Sequence, residues 1–305
     1  MTGKRELAPD PTAIGDVSSP PFVRLPNPST LFSVRALRLR QLAQTNPLAP
    51  YLTFLADLAD AQARVQADLP PSGAPDAEAI TRAREFGMPI LDREFTARDP
   101  ELDAIFTQLF DDTGTLDMPA SAVAALSNAA LAQTEQRGDM IAAVYAGLLP
   151  PDAVAEHIYI WHGLQLYFSR KAAVLEPRTV RPIADGVCPV CGSQPSGSMV
   201  VGWAGAHGAR FCACSLCNVM WHYVRIKCIC CGSTKGIGYK EVEGGEGAIK
   251  AETCDECRRW TKIIYHQTSP DAEPVADDVA SLGIDILMRG EPYSRGGFAP
   301  LLAGL

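Results

Sequence analysis

The sequence predicts an α+β multidomain chain: an N-terminal all-α helical bundle, two tandem cysteine-knuckle β modules and a C-terminal helix. Three observations predict it. Apolar residues recur at helical spacing between proline-containing breaks from about residue 29 to 178. All ten cysteines of the 305 residues lie between Cys188 and Cys257. The pattern C-x2-C-x22-C-x2-C occurs twice, displaced by 40 residues, which marks an internal duplication. The expected divisions are a flexible Pro-rich arm over 1–28, a helical domain over 29–180, a first metal module over 183–226, a second over 227–268, and a C-terminal helix and tail over 269–305.

Residues 1–28 carry six prolines and no sustained periodicity, so an extended arm is expected there. Ser29-Thr30 can cap a first helix in which Phe32, Ala36, Leu39 and Ala43 share a face, with Arg35, Arg38 and Arg40 directed elsewhere. Asn46-Pro47 ends it. A second helix follows Pro50, with Tyr51, Leu55 and Leu58 on one face, and Pro70-Pro71-Ser72-Gly73 marks a loop. Leu102, Ile105, Phe106 and Leu109 obey helical spacing after Asp99-Pro100. Ala-rich stretches over Pro119–Glu135 and Asp139–Leu149 favour helix by intrinsic propensity. After Pro150-Pro151-Asp152 a long segment places Ile160, Leu164, Tyr167 and Phe168 on one stripe and runs to Glu176-Pro177. Six or so helices imply a bundle.

Composition then changes to glycine, cysteine and short β-prone runs. Ser198–Trp203 and Gly208–Ala213 read as strands around Gly205. Gly238–Glu243 and Ala248–Thr253 repeat the layout around Gly244-Gly245, and Trp221–Ile226 and Thr261–His266 suggest a third strand in each module. An out-and-back hairpin returns the second CxxC of a module beside the first. The C-terminal helix opens near Pro274, with Val275, Val279, Leu282 and Ile286 as its stripe.

Eight cysteines form four CxxC pairs: Cys188/Cys191, Cys214/Cys217, Cys228/Cys231 and Cys254/Cys257. Two thiolates three residues apart in a tight turn can address one ion, and glycine after the second, as at Gly192 and Gly232, permits positive φ. Two such knuckles complete a tetrathiolate, suited to Zn(II) or a single iron of rubredoxin type. Closing each site within its own module is favoured over an interleaved arrangement. With no open coordination position, the expected role is structural or electron-transferring rather than Lewis-acid catalysis. A thioredoxin-like redox pair is disfavoured because the CxxC pairs do not open a helix in a βαβ context. Cys212 and Cys230 are left over: either they pack as small hydrophobes, or they supply a reactive thiol or an exchangeable ligand. His157 and His162 stand five apart and cannot chelate as an i, i+4 pair, and His222 and His266 read as strand residues.

The chain has 27 Lys+Arg against 35 Asp+Glu, net −8, which argues against a protein that coats phosphate backbones. Residues 183–268 hold nine basic and seven acidic residues, net +2, and eight thiolates around two divalent ions turn that to −2. No nucleic-acid partner is therefore expected. Trp203, Trp221 and Trp260 are expected to pack against the knuckles, and Arg258-Arg259 to be solvated. Apolar runs such as Met140 to Leu149 fall short of the roughly 18–20 residues that span a bilayer, so no membrane insertion is expected. The N-terminal residues lack the apolar core of a signal peptide, which points to the cytoplasm. No Walker loop, dinucleotide fingerprint or nucleophile elbow is present, and no acid–base set stands out, so no catalytic residues are assigned and the chain is not expected to be an enzyme.

The sequence resembles the formate dehydrogenase accessory protein family, FdhE. The matching strings are Cys188-Pro189-Val190-Cys191-Gly192-Ser193, Cys214-Ser215-Leu216-Cys217 followed by Trp221-His222-Tyr223-Val224-Arg225, and Ala248-Ile249-Lys250-Ala251-Glu252-Thr253-Cys254. Asn46-Pro47-Leu48-Ala49 and Val275-Ala276-Asp277-Asp278-Val279-Ala280-Ser281-Leu282 extend the likeness over most of the chain. The resemblance implies a cytoplasmic maturation factor required for formate dehydrogenase activity, which binds the immature catalytic subunit before export. It also implies an N-terminal helical domain, paired rubredoxin-like modules, iron as a bound metal and the eight paired cysteines as ligands. Cys212 and Cys230 fall where the family pattern calls for no cysteine. The competing readings are a rubredoxin-like electron-transfer partner and, behind it, a zinc-ribbon nucleic-acid binder.

Overall fold

An Asn-Pro step fixes where the first helix begins. In the computed structural model, which describes residues 20–93, 96–244 and 247–303, Asn27 caps α1 (Pro28–Ala43) by accepting from the Ser29 N–H at 3.2 Å. The cap thus lies two residues before the expected Ser29, because Pro28 lacks an N–H and suits the first helical position. Asp99 and Pro100 open α4 (Pro100–Thr113) in the same way. Residues 1–19 lie outside the described residues. Of the expected arm, Val23–Arg24 instead form a strand, β1, and Val23 is buried.

The other helices of this part are α2 (Ala49–Asp68), α3 (Ala77–Phe86), α5 (Ala120–Leu131), α6 (Thr134–Ala146) and α7 (Val154–Ala173). Leu102, Ile105, Phe106 and Leu109 of α4 are all buried, as their spacing predicts. Helix α3 is not among the expected elements: Ala83 is its single buried residue, too little apolar stripe to show in the sequence. Helix α7 is the centre of the bundle. Its expected stripe of Ile160, Leu164, Tyr167 and Phe168 is only part of what it buries, for 14 of its 20 residues are covered, including Gln165, Ser169 and Arg170. Gly163 is needed there because a side-chain carbon at that position would overlap the Phe106 ring.

The cysteine modules follow as β2 (Pro195–Val200), β3 (Arg210–Cys214) and β4 (Met220–Tyr223), then β5 (Ile237–Lys240), β6 (Ile249–Cys254) and β7 (Arg259–Tyr265). The expected turn residue Gly245 lies outside the described residues. Each module is an antiparallel meander, and parallel pairing of β2 with β7 joins them into one sheet. The order is β1-β4-β3-β2-β7-β6-β5, with β8 (Ser294–Arg295) on β7. A buried ion pair, Arg210 with Glu252 at 2.7 Å, crosses from β3 to β6.

The expected C-terminal helix is two short ones, α8 (Pro274–Ala280) and α9 (Leu282–Met288). The Ser281 hydroxyl donates back to the Asp277 carbonyl at 2.7 Å where the helix breaks. The break changes the phase of the stripe: Val275 and Val279 are buried, Ile284 and Met288 take over in α9, and Ile286 is 54% exposed.

A second correction concerns Arg35 and Arg38, which do not point away from the core. Arg35 is 3% exposed and donates to Glu273 (2.9 Å), Gln165 (2.7 Å) and Asn218 (2.7 Å). Arg38 pairs with Asp277 at 2.6 Å. Helix α1 is thereby clamped to α8, to α7 and to the residue after Cys217. The residue next to Asp277 ties the same helix to the sheet: Lys262 of β7 is buried between Asp278 of α8 and Asp285 of α9, which Arg295 also pairs. Among the described residues, no helix is long and apolar enough to cross a membrane.

Candidate metal centres

Each first knuckle is built by the same two backbone bonds. Cys188 N–H donates to Ser193 O (2.8 Å) and Gly192 N–H to Cys188 O (2.9 Å); Cys228 to Ser233 (2.8 Å) and Gly232 to Cys228 (3.0 Å) repeat them. Gly192 and Gly232 have φ of 70° and 75°, as their position after the second cysteine predicts. The second knuckles need the same left-handed residue, and there it is Asn218 (φ 58°) and Arg258 (φ 54°). Asparagine tolerates this region, so Asn218 directly after Cys217 is a readable signal; arginine gives none.

Hairpin register then brings the knuckles together. Cys214 ends β3 opposite Pro195, and Cys254 ends β6 opposite Ile237. The sulfurs gather as Cys188, Cys191, Cys214 and Cys217 in one group and Cys228, Cys231, Cys254 and Cys257 in another, all within 4.8 Å of one another in each. Pairing is within modules. Sγ separations are 3.5 Å (Cys188–Cys217) and 3.4 Å (Cys191–Cys214) in the first group, and 3.8 Å for both Cys228–Cys257 and Cys231–Cys254 in the second. A metal–sulfur bond of about 2.3 Å gives a tetrahedron with edges of about 3.8 Å, so both groups could hold one ion. All ten cysteines are free thiols. Among the described residues no histidine joins either group.

The electrostatics suit a cation. N–H groups of Val190, Leu216 and Cys230 donate to the sulfurs of Cys188, Cys214 and Cys228 at 3.3–3.4 Å, and each donor favours thiolate. Burial pushes the thiols of Cys188 and Cys217 up. Burial acts the same way on Cys191, yet donation from the other three thiols, aided by Arg93, holds it well below the ordinary thiol value. In the second group the Cys230 thiol, donating to Cys228, brings Cys228 down to about 4. Each group thus already favours one thiolate, and the remaining protons leave when a cation takes their place.

The surroundings differ sharply. The first group is wholly buried and sits in the same core as the helices. Leu91 N–H donates to Val190 O (2.8 Å), Arg93 Nε to Cys191 O (2.7 Å), and Trp161 Nε1 and Gln165 Nε2 both to Ser215 O (3.1 and 3.0 Å). One indole on a knuckle is thus that of Trp161 of α7. Of the three expected there, Trp221 of β4 lies in the same buried core as the first group, whereas Trp203 lies against Phe211 and Arg24 and Trp260 in a core with Ile284 and Met288. In the second group Cys228 and Cys254 are buried, Cys257 is half-buried and Cys231 is exposed. The Tyr223 hydroxyl lies 3.0 Å from Cys228 O, and Lys227 and Asp185 pair at 2.8 Å beside it.

The leftover cysteines separate. Cys212 is 1% exposed in β3, and burial pushes its thiol up to about 12, so it packs as a hydrophobe. Cys230 is half-buried, and its sulfur occupies the space a side chain on Gly296 would need. His157 and His162 are buried in α7 with Nδ1 on the carbonyls four residues before, at 2.7 and 2.8 Å. Arg258 and Arg259 are exposed, as expected.

Three family models match consecutive stretches: FdhE, N-terminal, over residues 20–185; FdhE, central domain, over 187–225; and FdhE, C-terminal domain, over 226–302. A Rhizobium meliloti protein named Protein FdhE homolog is 45% identical over 300 residues, covering 98% of both chains. A Protein FdhE homolog of Cronobacter sakazakii is 36% identical over 284 residues, covering 92% of this chain and 90% of its own. The crystal structure of the FdhE protein from Pseudomonas aeruginosa superposes with a TM-score of 0.82 at 31% identity, covering 93% of this chain and 99% of that one.

Proposed function

Because the chain belongs to the FdhE family, we propose that it is a non-enzymatic accessory protein required for formate dehydrogenase activity, acting in the cytoplasm on the immature catalytic subunit. The observation that carries the reading is the match of FdhE models from residue 20 to 302 together with two complete four-cysteine groups in one fold. Cys188, Cys191, Cys214 and Cys217 would hold one ion, and Cys228, Cys231, Cys254 and Cys257 a second. The family resemblance favours iron, and zinc fits the same donors. A bound divalent ion offsets half the charge of its four thiolates and ties the two knuckles of a module together; with four protein sulfurs it has no position left for substrate. The rest of the work is binding: the bundle and the sheet form one body on which a protein partner can dock.

Deleting the gene should abolish formate dehydrogenase activity in extracts, and a plasmid copy should restore it. A tagged copy should co-purify the catalytic subunit. Undiminished activity in the deletion strain would sink the proposal.

A second reading, a rubredoxin-like electron carrier, is favoured by the exposure of Cys231, which brings the second centre to the surface. Bound iron with a reversible potential supports it; stoichiometric zinc from cells supplied with both metals counts against it.

A further inference from the structure

The two four-cysteine groups share a local construction and differ in everything around it. On the reading that both bind metal, we propose that they divide the work: the first is a locked structural centre, and the second is an exchange centre that takes up or gives up a soft metal ion through Cys231.

Exchange at a closed tetrathiolate is a ligand substitution. An incoming donor bonds to the ion as one cysteine sulfur leaves and takes a proton from water; no electron moves. The step needs a sulfur that solvent can reach and a knuckle that can open. In the first group Cys188, Cys191 and Cys217 are 0% and Cys214 is 2% exposed. Pro89 packs against Gly192, and the peptide carbonyls of both knuckles are held from outside the module by Leu91, Arg93, Trp161 and Gln165. These four bonds join the knuckles to two separate elements, α7 and the loop before α4. A sulfur there leaves only when the two bonds on its own knuckle break, and the ion is freed only when both knuckles have opened. At about 1 kcal/mol, or roughly fivefold, for each bond opened, four of them slow release by on the order of several hundredfold.

In the second group the equivalent of the buried Cys191 is the exposed Cys231, and the equivalent of Cys217 is the half-buried Cys257. The 40-residue repeat places these two pairs at matching positions. The contrast therefore comes from what the helical domain covers and not from the knuckles themselves. Cys228 and Cys254 remain buried and can keep the ion while Cys231 is displaced.

The test uses the full-length protein loaded with zinc. Metal analysis should first find two equivalents. Mixing with excess 4-(2-pyridylazo)resorcinol should then release one equivalent in a fast phase and the other at least about 100-fold more slowly. Cys231→Ser should lack the fast equivalent and keep the slow one. A measurement that needs no variant is a pulse of N-ethylmaleimide on the zinc-loaded wild type followed by peptide mapping, in which Cys231 and Cys257 should be modified before any cysteine of the first group. Fewer than two equivalents bound would overturn the metal reading along with the proposal. Two bound equivalents released at equal rates, or simultaneous labelling of both groups, would overturn the division of work alone.

Discussion

Replacing Arg35 with methionine isolates the clamp between the helical domain and the first cysteine module. Methionine keeps most of the aliphatic bulk and removes the guanidinium, which is 4% exposed against a Glu273 carboxylate 9% exposed. The carboxylate would keep its bonds from the Val275 and Ala276 N–H groups (3.0 and 2.8 Å) and lose its only ion-pair partner among those observed. The side-chain oxygens of Gln165 and Asn218 would each lose a 2.7 Å bond. Removing one partner of a buried pair costs about 3–5 kcal/mol, and the two abandoned acceptors add to it, so a loss of about 5 kcal/mol is expected. With an unfolding entropy of about 2.1 cal/mol/K per residue, this lowers the melting temperature of the 305-residue chain by about 8 °C. The assay is thermal and urea unfolding of the metal-loaded protein followed by circular dichroism. Arg35→Met/Glu273→Gln should cost about 2–3 kcal/mol less than the sum of its single changes. Arg35→Lys should recover less than half the loss, because an ammonium cannot reach three partners in a planar fork. A loss below about 1 kcal/mol with no coupling to Glu273 would refute the reasoning.

Gly163→Ala should destabilise by about 1–3 kcal/mol through overlap with Phe106, and Phe106→Leu in the same chain should return part of that in urea titrations. Burial raises the Glu101 carboxyl, but bonds from Lys171 and Arg170 outweigh it and hold the group below its ordinary value. Its contribution is therefore complete above about pH 4.3, the unfolded value, and is lost as pH falls through the lower folded value. Glu101→Gln should flatten the acid limb of a stability–pH curve in that window and leave the slope between pH 6 and 8 unchanged. At Arg258 the left-handed backbone makes Arg258→Gly neutral or stabilising by about 0.5 kcal/mol, whereas Arg258→Val should cost about 1–2 kcal/mol, as read from paired melting curves.

What the sequence discloses follows the range of the interactions concerned. Helix α4 is legible because the four buried side chains that define it lie within eight residues. The two sulfur groups are legible because a fixed spacing and a hairpin determine them, and neither needs knowledge of the rest of the chain. Arg35 is not, because its partners stand 130, 183 and 238 positions away, and from its own helix it looks like an ordinary polar-face arginine. Strand β1 is hidden for the same reason: two residues in a proline-rich stretch become a strand only because the edge of β4 lies beside them. The break between α8 and α9 lies nearer the surface of the sequence, in a serine whose hydroxyl competes for helix carbonyls, but the surrounding apolar spacing masks it.

Duplication supplies two copies of one coordination geometry, and the helical domain decides what each becomes. A bundle of about 150 residues can build a core without metal, which on sequence grounds makes the cysteine modules an appended part. The first module is nevertheless continuous with that core: its four cysteines lie among the helical side chains, and α7 supports its knuckle directly. The second module contributes only Ile229 to the buried members of that core and otherwise joins through the sheet, by the β2–β7 pairing and the Arg210–Glu252 bridge, and through Lys262 to α8. An ion lost from the first centre would loosen the interior of the whole chain, while the same loss from the second would be confined to an edge. If both groups bind metal as proposed, that asymmetry would let a single fold keep one centre filled for shape and leave the other free to exchange its ion.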